Sequence, residues 1–106
     1  MQPKSSFRER VYAIAKQIPV GKVLTYGHLA ALSGSPGAAR AVGMCMKENP
    51  DSTVIPCHRV VASNGKLTGY AFGNGVQTKK ELLEKEGVLF TGDIVNLTAS
   101  QRRPLE

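Results

Sequence analysis

At 106 residues the chain is the size of one domain with a single modest core. A composition 42% hydrophobic and 21% charged excludes a low-complexity or disordered chain, and no apolar run approaches the roughly 20 residues that span a bilayer. The formal net charge of +6 favours a polyanionic partner, nucleic acid first, without requiring one. The opening "MQPKSSFRER" lacks the apolar stretch of a signal peptide, so the expected compartment is the cytoplasm, where the two cysteines are free thiols.

In chain order, "SFRERVYAIAKQI" puts Phe7, Val11, Ile14, Ala15 and Ile18 on one helical stripe, and Ser6 with Glu9 forms a capping-box signature. "PVGK" at 19–22 stops this helix. A second, short helix is predicted from Thr25 as N-cap through "YGHLAALS", ending at Gly34. Ser35 and Pro36 have the character of an N-cap and first residue for a third helix, "GAARAVGMCMKE". Two short helices joined by a glycine-containing turn have the form of a helix-turn-helix. Asn49-Pro50-Asp51 breaks the third helix, and "STVI" and "RVVA" read as extended pieces on either side of "PCH". Asn64-Gly65 suits a tight hairpin turn, and "GYAFGNG" is a glycine-rich loop. "TKKELLEKEG" carries a second capping box, Thr78 with Glu81, and Gly87 at C′. "VLFTGDIVNL" suits a small hairpin about Thr91-Gly92. The ordered core is expected over about 5–97, with 98–106 a frayed tail.

Two stretches carry chemistry. In the third helix, the face at Ala38, Ala41 and Cys45, with Ala39 and Gly43 alongside, is unusually small. On pattern alone it fits close packing on a neighbouring helix first, and the narrow minor groove of B-DNA second. Arg40, a long cation amid small residues, sits better with the second. In "IPCHRVV", Cys57 is a small buried hydrophobe or a nucleophile. A free thiol is only a few per cent ionised at neutral pH, so a nucleophile needs a base, and His58 is adjacent. Neighbours in a strand point to opposite faces, so contact requires a bend after Pro56 or a bridging water. The imidazole also needs an acceptor on its other nitrogen, for which Glu81, Glu84 and Glu86 are the candidates. Cys45, Cys57, His28 and His58 contain no CxxC pair, so no metal is expected.

"IPCHRVV", the preceding "ENP" and "SGSPGAARAVG" together closely resemble the DNA-binding and active-site domain of O6-alkylguanine-DNA alkyltransferases, over roughly Phe7 to Gly87. The resemblance implies a mainly α fold with small β elements, of winged helix-turn-helix type, as one domain over 1–106. It implies DNA repair by irreversible transfer of the alkyl group from guanine O6 of a flipped-out nucleotide to Cys57, without a cofactor, by a monomer on the minor groove of double-stranded DNA. Carried over by position, His58 is the water-mediated base and Glu86 orients it. Asn49 braces the active-site turn. Tyr26 assists nucleotide rotation and donates a proton toward the guanine. Arg40 fills the vacated stack from a helix whose Ala38, Ala39, Ala41 and Gly43 face the DNA. Pro56 and Arg59 are structural, Arg59 organising the turn.

The chain departs from this family in places. The usual Gly-Tyr-x-Gly-Gly-Leu stretch is "GYAFGNGV" here, placing Tyr70, Ala71 and Phe72 at the base pocket. The bulk of Phe72 implies methyl transfer in preference to benzyl-sized groups. Met44 and Cys45 stand where the family tends to have Gly and Ala; Met44 is read as packing inward and Cys45 as alanine-like. Two rival functions remain open: an alkyltransferase-like lesion sensor, whose relatives generally have another residue, often tryptophan, at the cysteine position, and a helix-turn-helix regulator reading the major groove.

Overall fold

The structure, a computed structural model, describes residues 6–51, 53–67 and 73–100. Helix α1 spans Phe7–Ala15 behind the expected capping box, in which Ser6 Oγ accepts the Glu9 N–H at 3.1 Å and Glu9 Oε1 accepts that of Ser6 at 3.2 Å. Its stripe buries Val11 and Ala15 completely. A turn from Pro19 leads into β1, Leu24–Thr25, and Thr25 caps α2, Tyr26–Leu32, by accepting the His28 N–H at 3.1 Å. Helix α3 is Ala39–Lys47.

The start of α3 corrects the sequence expectation. Ser35 is not its cap: the Ser35 carbonyl accepts the Ala38 N–H at 2.9 Å, and Ala38 is the N-cap without a side-chain bond. Pro36 has the φ required at the second position of a β-turn as much as that of a helix start, and Gly37 after it tips the balance toward the turn. Helices α1, α2 and α3 enclose a core of Val11, Ile18, Leu24, Leu29, Val42 and Met46, among others.

Beyond α3, the described part of "STVI", residues 53–55, is not extended. The Asp51 carbonyl accepts from Val54 at 3.2 Å and Ile55 at 3.0 Å, while Asp51 Oδ1 accepts the Thr53 N–H at 2.9 Å. An aspartate side chain that bonds the backbone two residues on competes with strand formation. Only the other flank is a strand: β2, Val60–Val61, pairs in parallel with β1, Leu24 opposite Val60 and Thr25 opposite Val61.

Asn64-Gly65 makes the expected tight turn. The Ala62 carbonyl accepts the Gly65 N–H at 2.8 Å, and Lys66 then bridges to Ile94. Gly65 has φ +83°, and a Cβ there would lie 2.6 Å from the Val95 carbonyl oxygen. Left-handed backbone and a backbone clash act together, so Gly65→Ala is expected to destabilise the fold by about 2 kcal/mol. Thermal unfolding followed by circular dichroism should show a midpoint lowered by roughly 10 °C.

Helix α4 is Val76–Lys85 and starts two residues before the expected cap. Thr78 lies inside its first turn and reaches back, its Oγ1 accepting the Asn74 N–H at 2.7 Å. The helix ends as expected at Gly87, φ +89°, where Gly87 N–H donates to the Glu84 carbonyl and Val88 N–H to that of Leu83. This Schellman arrangement needs a left-handed residue at C′. Strands β3, Phe90–Thr91, and β4, Ile94–Val95, pair antiparallel about Gly92-Asp93, one residue later than expected. A helical turn α5, Leu97–Ser100, follows where fraying was expected. Val23, Val61, Leu83, Val88 and Val95 form a second buried cluster joining α4 and the hairpin to the sheet. Among the described residues no helix is long and apolar enough to cross a membrane.

Candidate active site

Cys57 opens a single 3₁₀ turn, Cys57–Arg59, entered from Pro56 at φ −78° and closed by Arg59 N–H donating to the Pro56 carbonyl at 2.9 Å. Proline cannot donate to a strand ladder, and the tight turn replaces the alternation that would have sent Cys57 and His58 to opposite faces. Both residues are buried, with exposures of 3% and 7%. Asn49, at the end of α3, ties the approach to this turn. Its Nδ2 donates to the Ile55 carbonyl at 2.8 Å and its Oδ1 accepts the Asp51 N–H at 2.9 Å, and its side chain also hydrogen-bonds Cys57.

Glu86, the C-cap of α4, is the hub. Its Oε2 faces His58 Nε2 at 3.0 Å, while Arg59 donates Nε to Oε1 at 2.9 Å and Nη2 to Oε2 at 2.7 Å. The third arm of Arg59, Nη1, donates to the Ile18 carbonyl at 2.8 Å, fixing the segment that follows α1 to the turn. Burial works to raise the Glu86 carboxyl, but the hydrogen bonds from Arg59 and His58 overcome it, leaving it below the ordinary carboxylate value. An ionised Glu86 accepts the proton on Nε2, so Nδ1 is left with the lone pair. That Nδ1 is buried and has no hydrogen-bond partner among the described residues. Burial depresses the His58 pKa, with Glu86 pulling only partly against it, so the imidazole is neutral at pH 7. Of the three carboxylates considered from sequence, the structure brings Glu86 to His58; Glu81 and Glu84 are exposed on α4.

Sequence reasoning missed Lys79. Its side chain is 1% exposed, within electrostatic reach of Cys57, and its Nζ lies 3.4 Å from Tyr26 Oη and 5.7 Å from that ring's centroid. Burial pushes its pKa down to about 8, with Cys57 pulling the other way. The signal was present: Lys79, Leu83 and Glu86 are spaced i, i+4, i+7, one helical stripe ending in the hub. A lysine on the buried stripe of a helix is there for a charge. Burial likewise raises the Cys57 thiol, while the hydrogen bond from Asn49 and the charge of Lys79 lower it in part. The resting residue is therefore a thiol, and ionisation awaits a base. Tyr26, at the start of α2, is half-buried and reaches this group through Lys79.

The small-residue helix is only partly as expected. Arg40 and Ala41 are exposed, Ala38, Ala39 and Gly43 are half-buried, and Cys45 belongs to the core at 4% exposure. Met44 does not pack inward: it is 53% exposed, whereas Met46 is 3% exposed. The interior is already filled by Val42, Cys45 and Met46 on the opposite side of α3. Tyr70, Ala71 and Phe72, assigned to the base pocket, lie outside the described residues. A groove of about 860 Å³ between α4 and the hairpin is lined by Leu67, Val76, Lys80, Glu84 and Ile94 among others, and Cys57 does not line it. Among the described residues no three His, Cys, Asp or Glu side chains converge as a metal site.

Residues 6–88 match the family described as 6-O-methylguanine DNA methyltransferase, DNA binding domain. A methylated-DNA–protein-cysteine methyltransferase of Salmonella typhimurium is 54% identical over 83 residues, which are 78% of this chain and 47% of that protein. The Mycobacterium tuberculosis protein of the same name is 46% identical over 82 residues, 77% of this chain and 48% of its own length. The chain thus spans about half the length of these curated relatives. Among solved structures, Schizosaccharomyces pombe Atl1 in complex with damaged DNA containing O6-carboxymethylguanine superposes with a TM-score of 0.80 at 36% identity, covering 97% of this chain and 100% of that one. Mycobacterium tuberculosis OGT in complex with DNA superposes with a TM-score of 0.72 at 45% identity, covering 80% and 51%. With the family match over residues 6–88, curated relatives up to 54% identical and solved members that superpose on the fold, the chain belongs to the O6-methylguanine-DNA methyltransferase family, as its DNA-binding domain.

Proposed function

We propose that this domain repairs DNA by moving the methyl group of O6-methylguanine onto Cys57, once per molecule. One observation carries the reading: the buried His58 offers an Nδ1 with no partner among the described residues while Glu86, held by two bonds from Arg59, faces Nε2. That is the polarity a general base needs. The proton of the Cys57 thiol passes through one water to His58 Nδ1. The sulfur forms its bond to the methyl carbon as the C–O6 bond breaks, and the purine leaves as an anion. Tyr26 Oη supplies the proton that neutralises it, with Lys79 beside the hydroxyl. The donor is the DNA itself, so no cofactor enters.

Because Cys57 is buried, it cannot meet an alkyl carbon inside a stacked duplex; the nucleotide has to be rotated out and into the protein. The exposed face of α3 is the element suited to the minor groove, with Arg40 filling the vacated stack and surface Lys and Arg supplying sequence-independent affinity. The relatives solved with DNA support this partner. The protein works as a monomer wherever its DNA lies, in cytoplasm or nucleoid.

A second reading, lesion binding without transfer, is favoured by one observation: the Atl1 complex with damaged DNA aligns with 97% of this chain and 100% of its own, whereas Mycobacterium tuberculosis OGT aligns with 80% and 51%. Incubation with a duplex containing one O6-methylguanine, then mass analysis of tryptic peptides, separates them. A gain of one methyl on the Cys57 peptide is the expected outcome. Lesion-selective binding without that gain would establish the sensor, and binding that follows flanking sequence but ignores the lesion would establish a regulator.

A further inference from the structure

We propose that Met44 is a second groove-inserting side chain, an apolar wedge that packs into the minor groove one helical turn beyond Arg40. This rests on the placement of α3 against DNA given above. Arg40, Ala41, Met44 and Lys47 are exposed along one stripe of α3, at spacings i, i+1, i+4 and i+7. Met44 alone on that stripe is large and apolar, and it is 53% exposed. Two of its neighbours leave it uncovered, since Ala41 ends at Cβ and Gly43 has no side chain. Nor is it a core residue forced outward, because Val42, Cys45 and Met46 close the interior beneath α3.

Four residues along a helix is a rise of about 6 Å, close to two base steps of about 3.4 Å each. With Arg40 in the stack vacated by the flipped nucleotide, Met44 falls about two steps along the groove. There a flexible, polarizable thioether can adapt to sugar and base edges of any sequence. Apolar side chains at such positions spread the groove and bend the duplex away from it. Met44 thus contributes affinity that depends on groove shape and not on phosphate charge.

The test is duplex binding by fluorescence anisotropy over a salt series, with end-to-end energy transfer on the same duplex to report bending. Met44→Ala, a helix-favouring change at an exposed site, is expected to weaken binding about tenfold, the order lost when a methionine's buried contact is removed. The salt slope should be unchanged, because no counterion-releasing contact is lost, and the bend should diminish. Met44→Leu, which keeps the apolar bulk, should bind within about twofold of the parent. Arg40→Ala serves as the control for the underlying placement. If Met44→Ala binds and bends DNA like the parent while Arg40→Ala is impaired, the wedge is refuted and the placement of α3 survives. If neither substitution matters, α3 does not enter the groove and both are refuted.

Discussion

Glu86→Gln is expected to slow methyl transfer by about 10²- to 10⁴-fold, the range that general-base catalysis contributes. The amide preserves the size of the side chain but can present its NH₂ to His58 Nε2, which would then need to be the acceptor. The imidazole proton would move to Nδ1, the atom required to be bare. Arg59 would also lose its ionised partner at a site where its side chain is only 14% exposed. A loss of about 1–3 kcal/mol in stability should accompany the slower reaction. Quenched-flow transfer rates, read beside chemical unfolding and lesion binding, separate the two effects. A variant that folds, binds the lesion duplex and transfers at the parental rate would remove Glu86 and its hydrogen bond from the mechanism.

Lys79→Met is expected to move rate and stability in opposite directions. Lys79 is charged below about pH 8 and neutral above it. In the charged state it pulls the Cys57 thiol down, against the burial that raises it. Without the ammonium, thiolate formation becomes harder. Each unit by which the thiol pKa climbs is about 1.4 kcal/mol, or tenfold in the ionised fraction, so transfer at pH 7 should fall about tenfold or more. The parent should also lose rate as pH rises past about 8, where Lys79 discharges, and the methionine variant should lack that alkaline limb.

Stability follows the opposite sign. The folded lysine is depressed from 10.5 to about 8, so between these values the unfolded chain binds more protons than the native one. Parental stability therefore rises as pH climbs through that window, and below it the protein bears the full burden of a desolvated ammonium. Methionine fills a similar volume without charge, so the variant should be more stable than the parent at pH 7, with the Lys79 contribution to the alkaline rise abolished. Urea unfolding at pH 7 and pH 10 measures both. A variant less stable at pH 7 and unimpaired in transfer would show that Lys79 is there for packing alone.

Helix α1, the Thr25 cap of α2, the Asn64-Gly65 turn and the Gly87 stop were legible in the sequence because each rests on contacts within a few residues: a side chain meeting a nearby N–H, or a glycine in a left-handed turn. The starts of α3 and α4 were misread where a local signal had two solutions: Ser-Pro-Gly forms a turn ahead of α3, and Thr78 caps from inside the first turn of α4 by accepting the Asn74 N–H. The Cys57, His58, Glu86 and Arg59 set was named from sequence, but through family resemblance; spacing alone left Cys57 undecided and offered three carboxylates for one role. Which glutamate meets His58 depends on how α4 lies across the 3₁₀ turn, 28 residues away. The same packing carries Lys79 to Tyr26 across 53 residues and leaves Met44 outside a core already full. Local chemistry determined the elements, and long-range burial decided which charges and which apolar side chains face the site.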